Sequence, residues 1–175
     1  MDIDGQATVV VGVDGSAGSR AALQYALEDA ARRGGAVRIV SVFPPVEHWA
    51  GAWGVSAQRV TAEIEADLRE QTRKAIDAVV EKGAALAAVP VEVEAVPGSA
   101  AHVLVERSQA ADLLVVGHRG RGEVASMLLG SVGLQCVLHA GCPVTVVPQA
   151  AAKRAAERSE GALRRAAVPA AAPAY

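Results

Sequence analysis

Apolar, β-branched runs recur along the chain, and amphipathic stretches of helical period separate them. ATVVVGV (Ala7 to Val13) reads as a strand buried on both faces. GSRAALQYALEDAARRGG follows, with Ala22, Leu23, Ala26, Leu27 and Ala30 on one helical face; Ser16 or Ser19 caps its start and Gly34 its end. AVRIVSVF (Ala36 to Phe43) is a second strand, stopped by Pro44 and Pro45. After EHWAGAWG, a loop holding Trp49 and Trp53, a long helix runs from Ser56 to Gly83. Val60, Ile64, Leu68, Ile76 and Val79 or Val80 track one of its faces. VPVEVEAV (Val89 to Val96) alternates apolar and acidic residues, as a half-exposed edge strand does. Ser99 caps a helix to about Ala110, and DLLVVG is another buried strand. A glycine-rich loop leads into a helix from Ser131 to His139, and CPVTVVP is the last strand.

This β-α-β-α-β-α-β-α-β order predicts an α/β fold. An open five-stranded parallel sheet lies between helices on both faces, because right-handed crossovers put them there. Ligands of such Rossmann-like sheets bind outside the carboxyl ends of the strands, where the strand order reverses. That requires the loop after strand 1, DGSAGS, to meet the loop after strand 4, GHRGRGEVASMLLGS.

Composition narrows the classes. Of the 175 residues 51% are hydrophobic and 3% aromatic, so Val, Ile, Leu and Ala fill the core. A net charge of −2 offers no electrostatic case for nucleic acid. No apolar run reaches membrane-spanning length, and MDIDGQ lacks a signal-like core, so a cytoplasmic location with no membrane contact is expected. Cys136 and Cys142 lack metal or redox spacing and read as buried thiols, and His48, His102, His118 and His139 form no metal pair. The domain is expected over residues 1–148. Residues 149–175 form an Ala- and Arg-rich tail, expected to be disordered, with five basic and two acidic residues; its net +3 leaves the body at −5.

Three phosphate-binding templates can be tested. A dinucleotide fingerprint needs G-x-G-x-x-G after strand 1, but Gly12, Gly15 and Gly18 have other spacing and Asp14 lies between them. A Walker loop needs Gly-Lys-Ser/Thr, which is absent. The third pattern is present without a gap: Gly117-x2-Gly120-x9-Gly130-Ser131. With VVVGVDGSAGSRAAL at the start and CPVTVVP at the end, the chain resembles the ATP-binding universal stress proteins over Ala7 to Pro148.

That resemblance implies an adenine nucleotide alpha hydrolase-like fold and ATP as ligand. Gly117, Gly120 and Gly130 are expected to spare the nucleotide a Cβ or to allow backbone angles that aim amides inward. Gly130 and Ser131 open a helix whose unpaired N–H groups and positive end favour phosphate oxygens, with Val132 in its first turn. Ser131 adds a hydroxyl donor, or caps the helix in the empty site. Arg119 and Arg121 either pair with phosphates or extend into water; His118 either touches the nucleotide or faces solvent. The resemblance puts Asp14 near ribose and adenine, while the residue also reads as an Asx turn before Gly15. It further implies that backbone groups around Val40 and Val42 read the adenine edge and that Gly12 leaves room beside the base. Two residues depart from the family pattern. Glu123 stands where a small or apolar residue is usual, and Ser126 where glycine is. Pointing inward, Glu123 would weaken triphosphate binding.

Function is then expected to be that of an ATP-binding regulator of stress adaptation, whose nucleotide occupancy sets conformation or partner choice. A slow ATPase and a structural dimer that binds no nucleotide are the competing classes. No carboxylate cluster or evident base supports efficient phosphoryl transfer, and any Mg²⁺ would be held by phosphate oxygens and water. The last strand, Pro143 to Val147, is expected to be an apolar edge that pairs with its own copy in a homodimer.

Overall fold

The computed structural model describes residues 6–46, 56–120 and 129–148. Trp49, Trp53, His48, Arg121, Glu123, Ser126 and the tail lie outside the described residues. Along the chain the elements are β1 (Thr8–Gly12), α1 (Ala17–Arg33), β2 (Ala36–Phe43), α2 (Ala57–Val80), α3 (Ala84–Ala87), β3 (Val91–Pro97), α4 (Ala100–Ser108), β4 (Leu113–Gly117), α5 (Ser131–His139) and β5 (Val144–Val147). All five strands are parallel, in the order β3-β2-β1-β4-β5. The order reverses at β1, which lies between β2 and β4, so the loops after strands 1 and 4 do meet.

Strand alternation divides the core into two layers. Val9, Val11 and Val13 of the first strand region join Ile39, Val115 and the buried Leu23 and Leu27 of α1. The intervening Val10 faces the other way, with Val40, Leu114, Val116, Leu104 of α4 and Cys136 of α5. Each strand of the sheet centre is therefore apolar on both sides, which explains its unbroken apolar runs. Burial pushes the Cys136 thiol up to about 11, and Cys142 is raised as well, chiefly by burial. Both thiols are consequently poor nucleophiles near neutral pH.

Helix ends follow local chemistry. The Ser16 hydroxyl caps α1 by accepting the Ser19 N–H at 3.1 Å, and Gly34, at φ 65°, closes it in the left-handed region. Element bounds differ from the sequence reading by a few residues. One element was not foreseen: after Gly83 a short turn of helix, Ala84–Ala87, leads the chain into β3. Along α2, Val79 rather than Val80 is buried. On the edge strand β3, Glu92 and Glu94 are ion-paired rather than simply solvated. Arg38 Nε lies 2.9 Å from Glu92 and 3.1 Å from Glu94, and Arg107 Nε lies 2.9 Å from Glu94.

Candidate functional site

A cavity of about 240 Å³ opens at the carboxyl ends of β1, β2 and β4. Gly12, Val13 and Asp14 line it from β1, Val40 and Val42 from β2, and Val116, Gly117, Arg119 and Gly120 from β4 and its loop. Gly130, Ser131, Val132 and Gly133 close one side at the start of α5. The fold thus brings ten of the twelve anticipated residues, Arg119 among them, around one space; His118 is not among the lining residues and Arg121 lies outside the described ones. Val13, Ser19, Ala100, Leu104, Val116 and Gly133 join the lining without having been anticipated. Ala100 and Leu104 are one helical turn apart on α4, a spacing that marks a face but not what the face meets.

The β1 loop is held by its own side chains. Asp14 Oδ1 accepts the Ser16 N–H at 3.0 Å, and Gly15 follows at φ 81°. This is the Asx turn, so Asp14 shapes the loop as well as lining the cavity. Ser19, 4% exposed, donates its hydroxyl to the Ser16 carbonyl at 3.0 Å.

The β4 loop is pinned through its backbone. His118 donates its N–H to Val147 O at 2.9 Å, and its carbonyl accepts the Gly130 N–H at 3.1 Å. His118 therefore ties the two ends of the loop together with main-chain groups, a role its side chain does not reveal. The Gly130 carbonyl accepts from Leu134 N at 2.9 Å, opening α5. Gly130 occupies the N-cap position and Ser131 is the first helical residue. Ser131 is thus not the cap, because the extended backbone that precedes the helix belongs to Gly130, at φ −64° and ψ 153°. The N–H groups of Ser131, Val132 and Gly133 belong to the first turn, which has no intrahelical acceptors for them. With Arg119 they bring positive charge to the cavity wall, which the Asp14 carboxylate also lines.

The glycines serve close packing rather than unusual angles. Among the described residues Gly15, Gly34 and Gly98 are the glycines in the positive-φ region that L side chains avoid, so the expected special backbone angles at Gly117, Gly120 and Gly130 are not present. A Cβ on Gly117 would lie 2.6 Å from the Gly18 carbonyl carbon and 3.0 Å from Ser19 N. Conversely, a Cβ on Gly18 would strike the Arg119 carbonyl oxygen. One on Gly120 would lie 2.6 Å from Asp14 Oδ2. The first turn of α1 and the β4 loop therefore meet backbone to backbone. Gly130 is different, since a Cβ there meets His118 O and Arg119 Cα at ordinary distances of 3.6 and 3.7 Å.

The carbonyl of Val40 accepts the Val13 N–H at 2.9 Å, so that oxygen is engaged within the sheet rather than offered to a ligand. Among the described residues no group of three or more His, Cys, Asp or Glu is placed to hold a metal ion, and no helix is long and apolar enough to cross a membrane.

Residues 7–148 match the family model described as Universal stress protein family. Universal stress protein Rv1996 of Mycobacterium tuberculosis is 34% identical over 151 residues, covering 81% of this chain and 48% of the relative. The chain spans about half the length of the curated relatives it matches. Among solved structures, a universal stress protein in complex with cAMP is 32% identical, with a TM-score of 0.58 over 82% of this chain and 98% of that one. The universal stress protein UspA from Lactobacillus plantarum shares the fold at 23% identity, with a TM-score of 0.61 over 81% and 97% of the two chains. Family model, curated relatives and cavity-forming topology agree: the chain belongs to the universal stress protein family.

Proposed function

We propose that the chain binds ATP in the cavity at the carboxyl ends of β1, β2 and β4, and that occupancy regulates its conformation or partners in stress adaptation. The observation that carries this reading is the polarity of the cavity. First-turn N–H groups of α5 and Arg119 offer an anion-binding end, and Asp14, on the β1 loop, offers an acceptor to a ribose hydroxyl. Adenine fits the β2 end. Sidedness alternates along a parallel strand: Val40 O bonds to Val13 on the β1 side, and Phe43 O accepts Gly98 N on the β3 side at 2.8 Å. Val42 has the sidedness of Val40, but β1 has ended by that level. Its N–H and C=O suit N1 and the 6-amino group of adenine. Mg²⁺ would be carried by the phosphates and water.

Nucleotide released on denaturing freshly purified protein tests the reading. ATP is expected; the absence of released nucleotide together with no heat of ATP titration would overturn it. The cAMP complex of the 32% identical relative favours a second reading, in which a cyclic monophosphate is the resident ligand. Tighter binding of cAMP than of ATP in the same titration would select it.

Assembly as a homodimer through Pro143–Val147 belongs to the same proposal. β5 is an edge strand, and beside it α5 exposes Leu134, Val137 and Leu138 at 45%, 50% and 61%. Residues 131–148 contain no Asp, Glu, Lys or Arg, so a copy can approach its twin without opposing like charges. Leu138→Glu, which leaves the core untouched, and Val146→Lys are both expected to shift the protein to monomers. Light scattering that shows a wild-type monomer at micromolar concentration would refute the dimer.

A further inference from the structure

A second cavity, of about 330 Å³, lies on the other face of the sheet, between the start of α1 and the middle of α2. Its volume is at the small end of ligand pockets, roughly 300–1,000 Å³. Val13, Leu68 and Ala75 provide apolar wall. Ser41 of β2 and Thr72 of α2 also line it, and both are only 3% exposed. Their hydroxyl oxygens are 3.2 Å apart. One O–H of this pair donates to the other oxygen, and the second O–H has no acceptor among the described residues. A buried donor without a partner is costly, so the position suits an acceptor brought by a ligand.

The rim is basic. Arg20 lines the cavity and uses one of its five N–H groups on Gly15 O, at 2.6 Å. Lys74 is also on the rim, paired with Glu70 at 2.7 Å. Asp14 lines this cavity too, yet Oδ1 accepts the Ser16 N–H and Oδ2 lies towards Gly120. Its oxygens are thus turned to the β1 and β4 loops, while Arg20 and Lys74 supply the rim's positive charge.

We propose that this cavity is a second small-molecule site, for an organic anion with an apolar body and a hydrogen-bond acceptor at its inner end. A small hydroxy- or keto-substituted carboxylate has that form. Its carboxylate would meet Arg20, its body Leu68 and Ala75, and its acceptor the spare hydroxyl proton of the Ser41–Thr72 pair. The site uses none of the α5 residues proposed to hold phosphates, so its test is independent of that reading.

Calorimetric titration of the full chain with 4-hydroxybenzoate, and separately with benzoate, which lacks the inner acceptor, tests the proposal. Saturable binding of 4-hydroxybenzoate at millimolar concentration is expected, with benzoate roughly three- to tenfold weaker for want of one neutral hydrogen bond. This comparison needs no variant and so does not depend on refolding the core. The exposed Arg20→Gln change should weaken 4-hydroxybenzoate, and the near-isosteric Thr72→Val should narrow its advantage over benzoate. Ser131→Ala should leave it unchanged. No saturable binding, equal affinity for the two probes, insensitivity to Arg20→Gln, or loss on Ser131→Ala would overturn the proposal.

Discussion

Gly18→Ala is expected to lower both the melting temperature and the affinity for ATP. The added methyl would collide with the Arg119 carbonyl oxygen, and neither side of that contact is a flexible side-chain end. Inserting a methyl where backbone meets backbone costs about 1–3 kcal/mol. In a chain of this length, each 1 kcal/mol is worth roughly 2–4 °C. The loop that yields is the one carrying Arg119 and Gly120, both on the cavity wall, so ATP binding should fall at least about tenfold, the equivalent of one lost charge-assisted hydrogen bond. Gly117→Ala should behave alike, because its methyl would press on the Gly18 backbone from the other side. Gly130→Ala is the control. Its methyl finds ordinary contacts on an extended backbone, and stability should stay within about 0.5 kcal/mol of wild type. Thermal unfolding and ATP titration of the three variants measure this. An unchanged melting temperature for Gly18→Ala would mean that the two loops do not meet as described.

Ser131→Ala and Asp14→Ala should separate the two ends of the nucleotide. Removing the Ser131 hydroxyl deletes one hydrogen bond to a charged group, worth about 1.5–3 kcal/mol, which predicts a roughly ten- to hundredfold loss of ATP affinity. Adenosine, without phosphates, should bind this variant as it binds wild type. Asp14→Ala should weaken ATP and adenosine alike, since its carboxylate is assigned to the ribose end. It also removes the acceptor for the Ser16 N–H, with about 1 kcal/mol of stability. Calorimetry with both ligands on both variants decides the matter. Discrimination between the ligands by Asp14→Ala, and none by Ser131→Ala, would reverse the orientation of the nucleotide.

The order of elements and the position of the cavity were legible along the chain. Strands such as Val9–Val11 and helical faces such as Ala22, Leu23 and Ala26 declare themselves by local periodicity. The right-handed crossover rule then leaves few sheets to choose from, and those place the loops after strands 1 and 4 side by side. The run Gly117-x2-Gly120-x9-Gly130-Ser131 marked the cavity wall now proposed to bind phosphates.

What the glycines are for was not legible. The Gly18 backbone excludes a side chain at Gly117, and the Arg119 carbonyl excludes one at Gly18, across about 100 positions of chain; neither glycine has the positive φ that local reasoning would look for. Likewise, Thr72 interrupts the apolar face of α2 for a reason found only in Ser41 of β2. Leu104 turns from an ordinary core residue into cavity wall because α4 packs over the end of β1. Val40 and Val42 look equivalent as letters, yet the Val13 N–H occupies the carbonyl of the first, while β1 ends before the level of the second. Periodicity and turn chemistry act over a few residues, so they specify elements. Close backbone approach, pairing of buried hydroxyls and the sidedness of a strand's last free groups depend on distances between segments far apart in the chain, and these arise only when the layers pack.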